Sequence, residues 1–296
     1  MQPHSLHKKS QPLEFSAGKP LVFLHMPRCA GTAFCRGIVQ ALKPQKYYYG
    51  IDWHEICDRK TYNLFSDDIK RTVFIDCEDM PLDADLVAGH ISYNFLRQRY
   101  PLGTFITFLR EPITRVISHW LQIRSASSDI AELGKISEFE QRCRGPLRNI
   151  LIEMDDKGIM DNLMLRLLVI DHPKAHPFKA IKTEDDNELF ELALKNFSDF
   201  DYIDFHENPN LHVNFGEWLG RPFNWPYENQ LPDIPDKLKS SLYDELNDET
   251  LALLHQRTRL DLKLWEYIVL QRGFDPAVLR TKIITHNVMR YSQRMG

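Results

Sequence analysis

Glycine is scarce in this chain of 296 residues, only 13 in all, and no two glycines stand two apart. That spacing excludes the G-x-G-x-x-G dinucleotide fingerprint. The G-x-x-x-x-G-K-[ST] loop is also missing, because Gly37 is followed by Ile38. The five cysteines, Cys29, Cys35, Cys57, Cys77 and Cys143, are odd in number and form no C-x-x-C pair. This argues against a disulfide framework or a structural zinc site and for reduced thiols in a cytoplasmic protein. His172 and His176 are flanked by Pro173 and Pro177, which keeps them off one helical face and argues against a zinc pair. No apolar run approaches the roughly 20 residues of a membrane-spanning helix; the stretch Leu163–Ile170 is broken by Arg166. Met1–Phe15 is polar and has no apolar core of a signal peptide.

What is present is ordinary globular composition, 43% hydrophobic and 26% charged, with a net charge of −4. The mean hides an asymmetry. Residues 1–50 carry seven Lys/Arg against one acid, residues 90–128 carry five Arg against one acid, and the rest of the chain stands at −14. Two basic islands in an acidic protein imply a local anion site and not a nucleic-acid surface.

Strand candidates are Leu21–His25, Thr72–Asp76, Asp85–Gly89, Thr104–Leu109 and Asp201–Phe205. Thr32 is placed to cap a helix over Thr32–Leu42 that Pro44 stops, and Pro112 opens a second with an apolar face of Ile113, Val116, Ile117, Trp120 and Leu121. Later segments read as helices: Ser137–Arg144, Met160–Ile170, Glu188–Asn196, Leu211–Leu219, Pro235–Asn247 and Glu249–Gln271. Alternating strands and helices in the first half imply a parallel sheet covered by helices, with a helix-rich second half. Without repeats or low-complexity linkers, the expected organisation is an arm over 1–18, a single domain over 19–275 and a basic tail over 276–296. The tail holds Arg280, Lys282, Arg290 and Arg294 and reads as a solvated end or a contact in a homo-oligomer.

The segment LVFLH-MPRCAG-TAFCRGIV is strand, loop and helix. A helix start offers unpaired N–H groups and the positive end of the dipole. Gly31 permits close approach, Thr32 adds a hydroxyl and Arg28 a charge, which together suit a phosphate or sulfate. The alternative is a plain strand-to-helix turn with an exposed arginine. Cys29 sits where a helix N-terminus would lower its pKa, yet nothing local pairs it with a histidine, so it shapes the loop. Further on, Arg110 ends a strand and Ser118 lies about two helical turns beyond it, placed to hold a second phosphate. The alternative there is an Arg110–Glu111 ion pair and a solvent-facing Ser118.

PRCAGTAF resembles the 5′-phosphosulfate loop P-K-T-G-G-T-S of sulfotransferases that use 3′-phosphoadenosine 5′-phosphosulfate (PAPS), and LREPITRVISHW resembles their 3′-phosphate motif L-R-x-P-x-x-R-x-x-S. Gly89-His90 resembles the G-H of the branch related to heparan sulfate 2-O- and 6-O-sulfotransferases; a soluble, bacterial member of that branch is the expectation. DNLMLRLL, FDYIDFHEN and LDLKLWEY are fainter echoes, and together the likeness spans about Leu21 to Gly273.

The resemblance implies a P-loop-NTPase-like α/β fold and in-line transfer of a sulfuryl group to an acceptor hydroxyl on a carbohydrate, lipid or small metabolite. Arg28 stands where the family has Lys and would stabilise charge on the leaving group, though a planar guanidinium is not a point donor. The loop residues Cys29, Ala30, Gly31, Thr32 and Ala33 would surround the 5′ end of PAPS, with Ala33 lacking the usual hydroxyl. Arg110 and Ser118 would hold the 3′-phosphate, the product would be adenosine 3′,5′-bisphosphate, and no metal is required. His90 maps onto the general base, a task suited to a group with pKa near 6.5. His119 ranks second, about 100° around the helix from Ser118, and His25 reads as a support for the loop.

Two other classes stay open: a P-loop-type nucleotide kinase, and a nucleotide-binding scaffold with little turnover. Ser125–Lys157 and Asp171–Asn187 are candidate acceptor gates, and Phe223–Tyr227 reads as core packing. With −14 outside the islands, the expected acceptor is neutral or modestly charged. Its KM should then be insensitive to salt, and a steep rise with ionic strength in a transfer assay would overturn that expectation.

Overall fold

The structure, a computed structural model, describes residues 19–52, 62–63, 66–125, 144–153, 161–176, 179–224 and 233–295. The expected arm 1–18, the helix over Ser137–Arg144, Cys57 and Cys143, and most of Ser125–Lys157 and Phe223–Tyr227 lie outside the described residues.

Among the described residues, six strands form one parallel sheet: β1 (Leu21–Leu24), β2 (Tyr47–Asp52), β3 (Val73–Phe74), β4 (Leu86–His90), β5 (Thr104–Leu109) and β6 (Tyr202–Phe205), in the order β3-β2-β4-β1-β5-β6. The expected α/β class, a parallel sheet flanked by helices, is what forms. β1 is buried along its whole length, as a continuous apolar run in a two-faced parallel sheet should be. Alternate residues serve opposite cores. Val22, Leu24, Val87, Phe105 and Phe205 face one cluster, with Leu264, Trp265 and Ile268. Leu21, Phe23, Ala88, Ile106 and Phe108 face the other, with Phe34, Ile38 and Phe215.

The covering helices are α1 (Gly31–Leu42), α2 (Asp67–Lys70), α3 (Tyr93–Arg99), α4 (Pro112–Ser125), α5 (Leu147–Glu153), α6 (Leu163–Val169), α7 (Asp186–Phe197), α8 (Leu211–Leu219), α9 (Leu242–Glu245), α10 (Asp248–Gln271) and α11 (Pro276–Met295). The helix expected over Pro235–Asn247 is instead a 3₁₀ turn, Asp236–Leu238, followed by the short α9. β2 was not expected as a strand. Its YYYGID run is rich in aromatic strand formers and has no apolar alternation, since Tyr47 is exposed and Gly50 buried. The tail expectation for 276–296 is corrected as well: α11 buries Ile283, Asn287, Tyr291 and Met295, one residue per helical turn, and packs against α4 and α9.

The three fainter echoes turn out to be supports. Asp261 on α10 accepts from the N–H groups of Met164 and Leu165, and Asn162 Oδ1 accepts from Leu260 N–H, so DNLMLRLL and LDLKLWEY clasp each other. In FDYIDFHEN, Asp204 accepts from Tyr202 Oη and Asn208 Nδ2 and pairs with Arg272 at 3.3 Å.

Registers fix which residues reach the carboxyl edge: Leu24 lies beside Gly89 on one side and Thr107 on the other, and Gly50 beside Gly89. A Cβ at Gly89, whose φ is 151°, would stand 1.9 Å from the carbonyl oxygen of Gly50. Gly89→Ala should therefore cost about 2–4 kcal/mol, from strain plus overpacking. Urea denaturation measures it, and a loss below about 0.5 kcal/mol would contradict the close strand approach.

Candidate functional site

β1, β4 and β5 all end at the same edge, so His25, His90 and Arg110 gather where open α/β sheets bind ligands. The loop from His25 to Ala30 then turns sharply. Arg28 and Ala30 take φ of 67° and 59°, left-handed backbone that a residue with a Cβ adopts at a cost. Ala30 is the N-cap of α1 and makes no side-chain cap, which corrects the expectation of a Thr32 cap. Thr32 is exposed in the first turn and Ala33 is buried. The first-turn N–H groups thus receive no acceptor from the N-cap side chain.

Gly31 has a different duty from the one its sequence suggests. A Cβ there would lie 1.9 Å from the His25 ring, so the missing side chain makes room for an imidazole. Cys29 is buried, its N–H donates to Met26 O at 3.2 Å, and its thiol lies against Met164. Burial pushes that thiol up to about 12, reversing the expected lowering by the helix start. Its role is loop shape.

The two predicted anion motifs meet. Arg28 Nη2 donates to Ser118 Oγ at 3.1 Å, and Arg110 Nη1 donates to the Arg28 carbonyl at 2.9 Å. Arg110 Nη2 donates to Tyr291 Oη at 2.5 Å, so α11 closes this end of the site. Nε of Arg28 and Nε of Arg110 are buried without hydrogen-bond partners among the described residues. Burial and then the Arg110 charge lower Arg28 to about 10, still cationic at neutral pH. Ser118 is buried, not solvent-facing, and Glu111 pairs with Arg280 on α11 at 3.2 Å instead of with Arg110.

Much of the second island lies elsewhere. Arg97 pairs with Asp199, Arg99 donates to Met80 O, and Arg124 pairs with Glu245. Arg115 is fully buried 3.7 Å from Asp261, and its guanidinium makes no hydrogen bond among the described residues.

His90 Nδ1 donates to the His25 carbonyl at 2.9 Å, and the two rings lie 4.4 Å apart. Burial, with Arg28 adding and the His25 carbonyl opposing, holds His90 below the ordinary histidine range. His25 is held well below it by burial, then by the charges of His90 and Arg28. His119 falls to about 3 through burial, Arg115, Arg28 and His90, and its buried Nδ1 makes no hydrogen bond. Three neutral imidazoles therefore border one arginine.

Sequence reasoning missed Tyr49, Arg115, Tyr291 and Glu207. Tyr291 was signalled only by the four-residue spacing of the last helix. Glu207 was inside a quoted echo, unassigned. Its Oε1 accepts from Glu111 N–H at 2.9 Å while Oε2 is buried with no partner among the described residues. Burial outweighs the attraction of Arg110 and lifts this carboxyl to about 7.

Neither a protein-family model nor a curated protein matches the chain. Among solved structures, the chain is similar to the crystal structure of a sulfotransferase from Alicyclobacillus acidocaldarius, with 11% identity, 84% of this chain and 99% of that chain covered, and a TM-score of 0.35. A likeness at that level carries no weight for function. Among the described residues, no helix is long and apolar enough to cross a membrane.

Because Glu207 binds its proton more tightly folded than unfolded, it favours the fold below about pH 4.5 and loses that contribution as pH rises through about 7. Glu207→Gln keeps an acceptor for Glu111 N–H and removes the titration. The variant should gain stability relative to the parent at pH 8 compared with pH 5, read by paired urea titrations; an equal difference at both pH values would contradict it.

Proposed function

We propose that this chain is a transferase that moves a sulfuryl group from PAPS to an acceptor hydroxyl. One observation carries the reading: Arg28 and Ser118, 90 residues apart in sequence, touch at the carboxyl edge of the central strands beside His90. The unpartnered Nε atoms of Arg28 and Arg110 and the uncapped helix start supply donors that suit an anionic guest.

When bound, PAPS supplies the activated sulfuryl group at its 5′ end and a 3′-phosphate as a handle. The N–H groups of Gly31, Thr32 and Ala33, with the Thr32 hydroxyl, face its 5′ end. Cys29 and Ala30 contribute the shape of the turn. Arg28 neutralises charge developing on the leaving oxygen, a preorganised cation of the kind that dominates phosphoryl-type transfers. Arg110 and Ser118 hold the 3′-phosphate. His90, neutral because it is buried, offers a lone pair to the acceptor's proton. His119 is a weaker rival base, since burial among arginines leaves it little proton affinity.

The reading makes two separable statements. Arg110→Ala should weaken binding of adenosine 3′,5′-bisphosphate by about tenfold to a hundredfold in calorimetry. His90→Ala should keep that affinity and lose about 10²–10⁴ in labelled sulfuryl transfer to an acceptor. Full turnover by His90→Ala removes it as the base. Tight ATP binding with no response to adenosine 3′,5′-bisphosphate would point to a kinase, and nucleotide binding without transfer to any acceptor would point to a scaffold.

A further inference from the structure

Tyr49 comes from β2, beside Ala88 of β4, and its ring reaches both imidazoles of the edge. Its hydroxyl lies 2.7 Å from His25 Nδ1 and 3.4 Å from His90 Nε2. The third side of the triangle is His90 Nδ1 to the His25 carbonyl, 2.9 Å.

The carbonyl contact fixes one proton of the triangle, and the two tyrosine contacts favour an arrangement of the others. A carbonyl only accepts, so His90 carries its hydrogen on Nδ1, and a neutral His90 therefore has its lone pair on Nε2. With its hydroxyl hydrogen directed at that lone pair, Tyr49 satisfies both contacts at once: its oxygen accepts from His25, which then carries its own hydrogen on Nδ1. When His90 takes a proton, an N–H bond forms at Nε2, the hydroxyl turns, and its oxygen accepts from both rings through two lone pairs.

We propose that Tyr49 is the positioning residue of His90: its hydroxyl bridges the two imidazoles, donates to the Nε2 lone pair that the His25 carbonyl leaves on that nitrogen, and accepts from the same nitrogen after proton uptake. The assignment of protons stands on these contacts, while its use in sulfuryl transfer rests on the function proposed above. The unequal distances serve the task. Tyr49 is anchored on His25 and loose on His90, so an acceptor hydroxyl has room to approach Nε2. His25 is a firm anchor, because its N–H donates to Gly89 O and its ring fills the space over Gly31. The other charged or titratable groups facing the triangle are Arg28 from the loop and His119 from α4, with Arg115 behind it.

The bond to an imidazolium is charge-assisted and roughly twice as strong as the neutral one. Removing the hydroxyl therefore costs the protonated form more and makes His90 a weaker base. In ¹⁵N spectra of the ligand-free protein, His90 should show a pyridine-type Nε2 and a pyrrole-type Nδ1, with His90→Gln providing the assignment. In Tyr49→Phe, the His90 midpoint should fall by about half to one pH unit. The kcat for transfer should drop about tenfold with KM for the nucleotide unchanged. An unmoved or raised midpoint overturns the proposal, because a ring that only packs leaves it in place. So does a parent spectrum with the proton on Nε2, whether or not the variant folds. If the parent transfers no sulfuryl group, the functional reading fails, while the spectra still decide the role of Tyr49.

Discussion

β1 lies between β4 and β5 in a register that sets Leu24 beside both Gly89 and Thr107. Everything chemically notable here depends on that register. His25 and His90, next after Leu24 and Gly89, and Arg110, just past the end of β5, then emerge together at one edge. A slip of one residue would turn each side chain to the opposite face of the sheet. Two glycines guard it: Gly89 allows the backbone of Gly50 to come close, and Gly31 leaves room for the ring of His25.

The site built there is a balance of buried charges more than a basic patch. Arg28, Arg110 and Arg115 stand close together: after burial, the charges of Arg110 and Arg115 depress Arg28, and those of Arg115 and Arg28 depress His119. Glu111, Glu207 and Asp261 are also buried, and each makes a specific bond: Glu111 to Arg280, Glu207 to the Glu111 N–H, Asp261 to Arg115 and to the start of α6. Removing one partner of such a set leaves a charge in a low dielectric, which costs far more than any surface pair contributes. Asp261 thereby ties the clasp between α6 and α10 to the helix that carries Ser118. The burial that makes these groups costly also keeps the three histidines neutral.

Several elements were legible because a local pattern specified them. Leu21–Leu24 is an uninterrupted apolar run, Thr104–Leu109 matches the expected strand end for end, and Leu211–Leu219 matches the expected helix. Arg28, Arg110 and Ser118 were singled out by their places at strand ends and on the following helix, and His90 by the resemblance of Gly89-His90. β2 was not, because its burial comes from contact with β4 and not from any alternation of its own. The last helix was hidden by its many charges, and only its packing against α4 reveals Tyr291. The islands also overstated the site, since Arg97, Arg99 and Arg124 meet partners distant in sequence.

The sequence by itself determined the strand-loop-helix unit, the parallel class of the sheet and the types of residue at its edge, because period and turn chemistry act over a few neighbours. Tertiary structure alone decided what those residues do to one another. Arg28 meets Ser118, Tyr291 meets Arg110, and Tyr49 joins His25 to His90, in each case across a gap of at least 24 residues. Protonation followed the same rule. Cys29 was expected to be acidified by its helix and is instead raised by burial, while Glu207 is lifted to about 7 despite a neighbouring arginine. Desolvation depends on what surrounds a group in space, and no spacing along the chain encodes it.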